Sequence, residues 1–134
     1  MKTSVAPARV WLAGSIALVL AAAANLGVRA LALALLPGAG TFLPLEASAV
    51  TTGTVIGVVG ATVVRVALAG SPAGGIWFLR IALVALVVSW LPDIALLVWP
   101  MYKGATLANV GTLMAMHAVA AAVCILVLAK PFGK

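Results

Sequence analysis

The chain has 134 residues, of which 66% are hydrophobic and 7% charged, with a mean hydropathy of +1.31. Soluble domains average about 45–50% apolar and about 25% charged, so a water-soluble fold lacks the polar surface to cover this chain. The net charge is +6, but the basic residues are scattered over separate segments, which argues against nucleic-acid binding and for contact with anionic lipid.

Crossing the hydrocarbon at 1.5 Å per residue takes about 20 residues, and the apolar residues fall into four blocks of at least that length. The first runs from about Val10 to Leu36, behind Lys2 and Arg9. It resembles a secretory signal up to Ala21-Ala22-Ala23-Ala24, yet the apolar run continues past Arg29, so retention as a span is expected. It carries Asn25 and Arg29 and ends in the turn composition Pro37-Gly38-Ala39-Gly40.

The second block, Ala47 to Ala69, follows Glu46 and is rich in valine and threonine. In water it reads as strand-prone; in lipid an isolated strand leaves its backbone unpaired, and helix is expected. Gly53, Gly57 and Gly60 offer small surfaces for close helix packing, with room for a ligand as the alternative. After Gly70-Ser71-Pro72-Ala73-Gly74, the third block runs from Gly75 to Trp99 and contains Ser89, Pro92 and Asp93. Pro92 removes one backbone donor, which predicts a kink and a freed carbonyl near Asp93. The fourth block, Ala105 to Ala129, follows Pro100-Met101-Tyr102-Lys103-Gly104 and carries His117 and Cys124. The expected fold is therefore all-α: a four-transmembrane-helix antiparallel bundle, polytopic in the membrane, forming one membrane domain over residues 1–134. Short connections make sequential helices antiparallel neighbours.

Lys2, Arg9, Arg65, Arg80, Lys130 and Lys134 fall on one side of these blocks and only Lys103 on the other, which predicts cytoplasmic N- and C-termini. Arg65 and Arg80 lie about one turn inside their spans and are expected to snorkel to the headgroups. Trp11, Trp77, Phe78 and Phe132 at the inner ends, with Phe42, Trp99 and Tyr102 at the outer ends, fit interfacial belts; Trp90 lies too deep for one.

The polar residues within the spans are expensive, about 2.5–3.5 kcal/mol for a central Arg or Asp on insertion scales, and so carry the functional information. Counted from the outer ends, Arg29 and Asp93 share a depth and are expected to form an ion pair. Asn25 and Ser89 lie one turn deeper on the same helical faces, and His117 reaches that level from the fourth block. Glu46 stands at the outer mouth as a cover or as a competitor for Arg29. Asn25, Arg29, Ser89, Asp93 and His117 thus form a candidate ligand-binding or polar-core layer. Each also has a structural reading: an ion pair that fixes helix order, interhelical hydrogen bonds, or a satisfied core histidine.

The halves show a faint internal similarity, Asn25-x-x-x-Arg29 with Pro37 against Ser89-x-x-x-Asp93 with Pro100, which predicts two hairpins related by an axis along the membrane normal. One cysteine excludes an internal disulfide and leaves no metal cluster, and no motif for a cofactor, a catalytic nucleophile or a phosphate loop is present.

Asn25-x-x-x-Arg29, Pro92-Asp93 and Leu113-Met114-Ala115-Met116-His117 resemble an uncharacterised bacterial family of small four-helix integral membrane proteins. The resemblance spans most of the chain and implies a location in the bacterial cytoplasmic membrane, with no activity or site assigned. Three functions stay open: a binding or transport unit for a small ligand or ion; an accessory subunit of a larger membrane complex; and an intramembrane enzyme acting on a lipid or quinone-like molecule, with His117 and Asp93 as acid and base. Besides the lipid bilayer, the expected partners are further copies of the chain or a larger complex, because four helices enclose little volume.

Overall fold

A computed structural model describes residues 5–99 and 101–130. Lys2, Pro100, Phe132 and Lys134, which the topology and turn readings used, lie outside the described residues. Four helices, each long and apolar enough to cross a membrane, make up the described chain: α1 (Pro7–Leu35), α2 (Ala47–Ala67), α3 (Gly74–Val98) and α4 (Leu107–Leu128). The described residues contain no strand, so the valine- and threonine-rich second block is helical. Its two buried hydroxyls close back on their own helix, Thr54 Oγ1 donating to the Val50 carbonyl at 2.7 Å and Thr62 Oγ1 to that of Val58 at 2.8 Å, which satisfies them without water.

The helix limits follow local chemistry. Pro7 takes the first-turn position of α1, where its missing N–H is no loss. Pro37 ends α1 early by disfavouring helical backbone at the residue before it. At the start of α4, Thr106 caps the helix by accepting a hydrogen bond from Asn109 N at 3.2 Å. Gly104 just before it has φ +81°, and a Cβ there would lie 2.9 Å from the Gly38 carbonyl oxygen. The two loops at this end of the bundle therefore touch. Asn109, fully buried, joins them, its Nδ2 donating to Gly104 O at 2.9 Å and Pro37 O at 3.4 Å.

Helices α1, α2 and α4 form the packed part of the molecule. Val10, Ala13, Ala17 and Ala21 of α1 are wholly buried against α2 and α4. Close approach of α1 to α2 depends on Gly14, where a Cβ would collide with the Thr62 side chain. At the opposite end from the Asn109 junction, Arg65 does not snorkel. Its side chain is buried, and Nε donates to Leu128 O at 3.0 Å, one of the last carbonyls of α4 that has no partner within its helix. Arg80 does remain exposed, stacked 5.3 Å from the centre of the Trp77 ring.

Helix α3 is attached differently. It packs along α4, held in part by Trp90 Nε1 donating to Met114 O at 3.0 Å, which accounts for a tryptophan so far from either interface. It barely meets α2. The expectation that all sequential helices are close neighbours thus holds for α1–α2 and α3–α4 and fails for α2–α3. The two hairpins are not equivalent either, because α1–α4 is a packed seam whereas α2–α3, its counterpart under two-fold symmetry, is open.

Candidate functional site

The opening between α2 and α3 is a cleft with a cavity of about 530 Å³, floored by α4. Asn25, Ser89, Asp93 and His117 all reach its wall, as do Gly53 and Gly57. The direction of each helix sorts its lining into two levels. Toward the Asn109 junction it is polar, with Asn25, Thr54, Ser89, Asp93, Tyr102 and His117; toward the other end it is apolar, with Ala61, Ala82, Ala85, Ala120, Ala121 and Cys124. This volume lies within the range of about 300–1,000 Å³ usual for small-ligand sites.

At the centre of the polar level, His117 Nδ1 and Asp93 Oδ2 are 2.8 Å apart, linking α3 to α4. Asp93 is nearly enclosed, its side chain 9% exposed, whereas that of His117 is 43% exposed. A carboxylate only accepts hydrogen bonds, so Nδ1 carries the hydrogen between them, and Nε2 has no protein partner among the described residues. Beside this pair, Asn25 Nδ2 donates to Thr54 Oγ1 at 3.0 Å. Thr54 has already given its proton to the Val50 carbonyl, which fixes the amide with Nδ2 toward Thr54 and Oδ1 away from it. Oδ1 is buried without a donor. Ser89 Oγ donates to Leu86 O at 2.6 Å.

Arg29 does not join Asp93. The two were expected to pair from equal depth, but Arg29 Nε donates to Leu45 O at 2.7 Å and the residue is absent from the cleft wall. The reason lies in the α1–α2 connection, which folds into two single 3₁₀ turns, Ala39–Thr41 and Leu43–Leu45, and buries Phe42 and Leu45 beneath the loop. This brings a backbone carbonyl to the guanidinium, while His117 reaches Asp93 first from the neighbouring helix. Glu46 starts α2 as an exposed residue, off the cleft wall and without an ion-pair partner among the described residues. It therefore does not cover the mouth.

The glycines of α2 do not perform the packing expected of them. Among the described residues, no atom beyond its own stretch of helix lies within 4 Å of a Cβ built on Gly53, Gly57 or Gly60; the first two open onto the cleft and Gly60 lies outside it. Pro92 leaves α3 helical, and the carbonyl it deprives of a donor belongs to Val88, which is 55% exposed and not on the cleft wall. Cys124 shares the cleft with His117, as its spacing implies, but no cluster of metal-ligating side chains exists among the described residues.

Sequence reasoning missed Thr54, which orients Asn25, and Asn109, which joins the loops. Antiparallel register of α1 on α2 places Thr54 opposite Asn25, and Asn109 stands three residues after a capping threonine; both signals are in the sequence. No protein-family model, curated protein or solved structure matches the chain.

Proposed function

We propose that this chain is a membrane-embedded binding unit for a small ligand, with the Asp93–His117 pair as its polar anchor. The observation that carries this reading is that the pair borders a cavity instead of being sealed by packing, and that Asn25, whose amide oxygen is buried without a donor, lines the same cavity. A structural ion pair needs no space around it, and sealing the cavity would recover dispersion contacts that its walls now lack. The charge asymmetry and the family resemblance support placement in a bacterial cytoplasmic membrane with both ends inside, so that the polar level falls in the outer half of the bilayer. An enzymatic reading is weaker, because Ser89 is turned to a backbone carbonyl and, among the described residues, no hydroxyl or thiol is bonded to His117.

The test is a plug. Gly57→Leu puts a side chain on the cleft wall at a position where a Cβ meets no neighbouring atom within 4 Å. Non-denaturing mass spectrometry of the protein extracted with its native lipids should find a stoichiometric small molecule on the wild type and none on an equally stable Gly57→Leu. Identical spectra contradict the proposal. A second reading, an accessory subunit, is favoured by the bare surface of α3, where Leu83, Val84, Val87, Val88 and Leu91 are all about half exposed or more. It predicts a constant larger assembly in mild detergent that Leu83→Ala/Val87→Ala dissociates.

A further inference from the structure

Every hydrogen-bond donor facing the polar level of the cleft, except Tyr102, is already committed within the protein. Asn25 Nδ2 is held by Thr54, Thr54 Oγ1 by Val50 O, Ser89 Oγ by Leu86 O, and the His117 Nδ1 hydrogen by Asp93. What remains is the second oxygen of Asp93; Nε2 of His117, an acceptor when Nδ1 holds the ring's one hydrogen; and Asn25 Oδ1, buried without a donor in a residue that lines the cleft. Among the described residues no Lys or Arg lines the cleft, and Arg29, the nearest cation expected from sequence, is bound to the Leu45 carbonyl. Asp93 is the one carboxyl side chain on the cleft wall, in a medium where isolated charge is costly.

Below this level the walls are mostly alanine with Gly57, Leu86 and Cys124, and the helix rise from His117 down to Cys124 corresponds to about 10 Å of apolar surface. The side between α2 and α3 is bounded by Gly53 and Gly57, which no side chain covers. Resting on the binding-unit reading, we propose that the ligand is an amphiphilic ammonium cation: a protonated primary amine at Asp93, Asn25 and His117, with its hydrocarbon body lying along the Ala82–Ala121 channel and entering sideways from the bilayer. An ammonium brings three donors and one positive charge, which matches both the unused acceptors and the Asp93 carboxyl. Anionic and donor-free ligands match neither.

The test uses the full chain in phosphatidylcholine nanodiscs at neutral pH, with empty nanodiscs subtracted and saturable binding of four probes of equal chain length measured. Dodecylammonium should bind most tightly. Dodecyltrimethylammonium, which keeps the charge and loses the donors, should be weaker, dodecanol weaker again, and dodecanoate without saturable binding. Asp93→Asn should weaken dodecylammonium by about tenfold or more, the loss expected of one charge-assisted hydrogen bond, while leaving dodecanol within about threefold. If Asp93→Asn unfolds, Asn25→Leu with Thr54→Val provides the second variant and should lower dodecylammonium affinity selectively. Equal or tighter saturable binding of dodecanol or dodecanoate, blocked by Gly57→Leu, overturns the ammonium assignment and leaves the binding-unit reading standing. Absence of saturable binding by all four probes overturns both.

Discussion

Small residues line both the α1–α2 seam and the α2–α3 opening, and the two regions behave in opposite ways. At the seam, Gly14 brings α1 so close to α2 that a Cβ would strike Thr62, and the alanines beside it are wholly buried. At the opening, Gly53 and Gly57 face empty space bordered by Asp93 and His117. In lipid, close approach is worth little unless backbone and side chains interlock, because hydrocarbon tails are as apolar as the helix surface. A glycine therefore packs where the facing residue can be accommodated, as Thr62 is by folding onto its own helix, and leaves a groove where the facing helix is anchored elsewhere. Here α3 is anchored on α4 by Trp90 and by the Asp93–His117 bond.

The largest effect that separates the regions is steric. Gly14→Leu should destabilise the bundle by about 1–3 kcal/mol through overpacking, whereas Gly57→Leu should stay within about 0.5 kcal/mol of wild type; thermal unfolding in detergent measures both, and equal losses would erase the distinction. Next is the coupling within the cleft. A double-mutant cycle of Asp93→Ala with His117→Ala should show an interaction of about 0.6 to 1.7 kcal/mol. The same cycle for Arg29→Ala with Asp93→Ala should be additive within about 0.5 kcal/mol, because Arg29 serves the loop. A coupling in the second cycle larger than in the first would restore the ion pair expected from depth alone.

A smaller effect concerns Asn25. Thr54→Val removes the acceptor of its amide and should cost about 1 kcal/mol, most of which Asn25→Leu in the same chain should return, since an unmatched polar group costs more than an absent one. Smallest of all, Gly60→Ala lies off the cleft wall and clear of other helices, and should alter neither stability nor probe binding beyond error.

The spans were legible because length and apolarity decide them: each block needs only about 20 apolar residues, and nothing nearby competes. Limits shifted by a few residues where capping at Thr106 or Pro37 acted. The polar layer was legible as a depth, and four of its five residues do meet around one cavity. The fifth, Arg29, was misread because depth says nothing about rotation or about backbone carbonyls, and Leu45 O becomes available only when the loop folds into 3₁₀ turns. Arg65 shows the same limit. A terminal position allows snorkelling, but the unpaired end of α4 lies beside it and takes the guanidinium instead. Which helix pair would stay open was not legible, because it depends on where α3 is tied.

The α2–α3 side is an open cleft at the Asp93–His117 level, with Gly57 on its wall. The most direct measurement is the reaction rate of a water-soluble thiosulfonate with a cysteine placed at Gly57, in a Cys124→Ser background in nanodiscs, against cysteines at Ala17 and Val84. Rapid modification at position 57 alone, slowed by dodecylammonium, is the predicted result. A cysteine at 57 as inert as those at the packed and lipid-facing positions would contradict it.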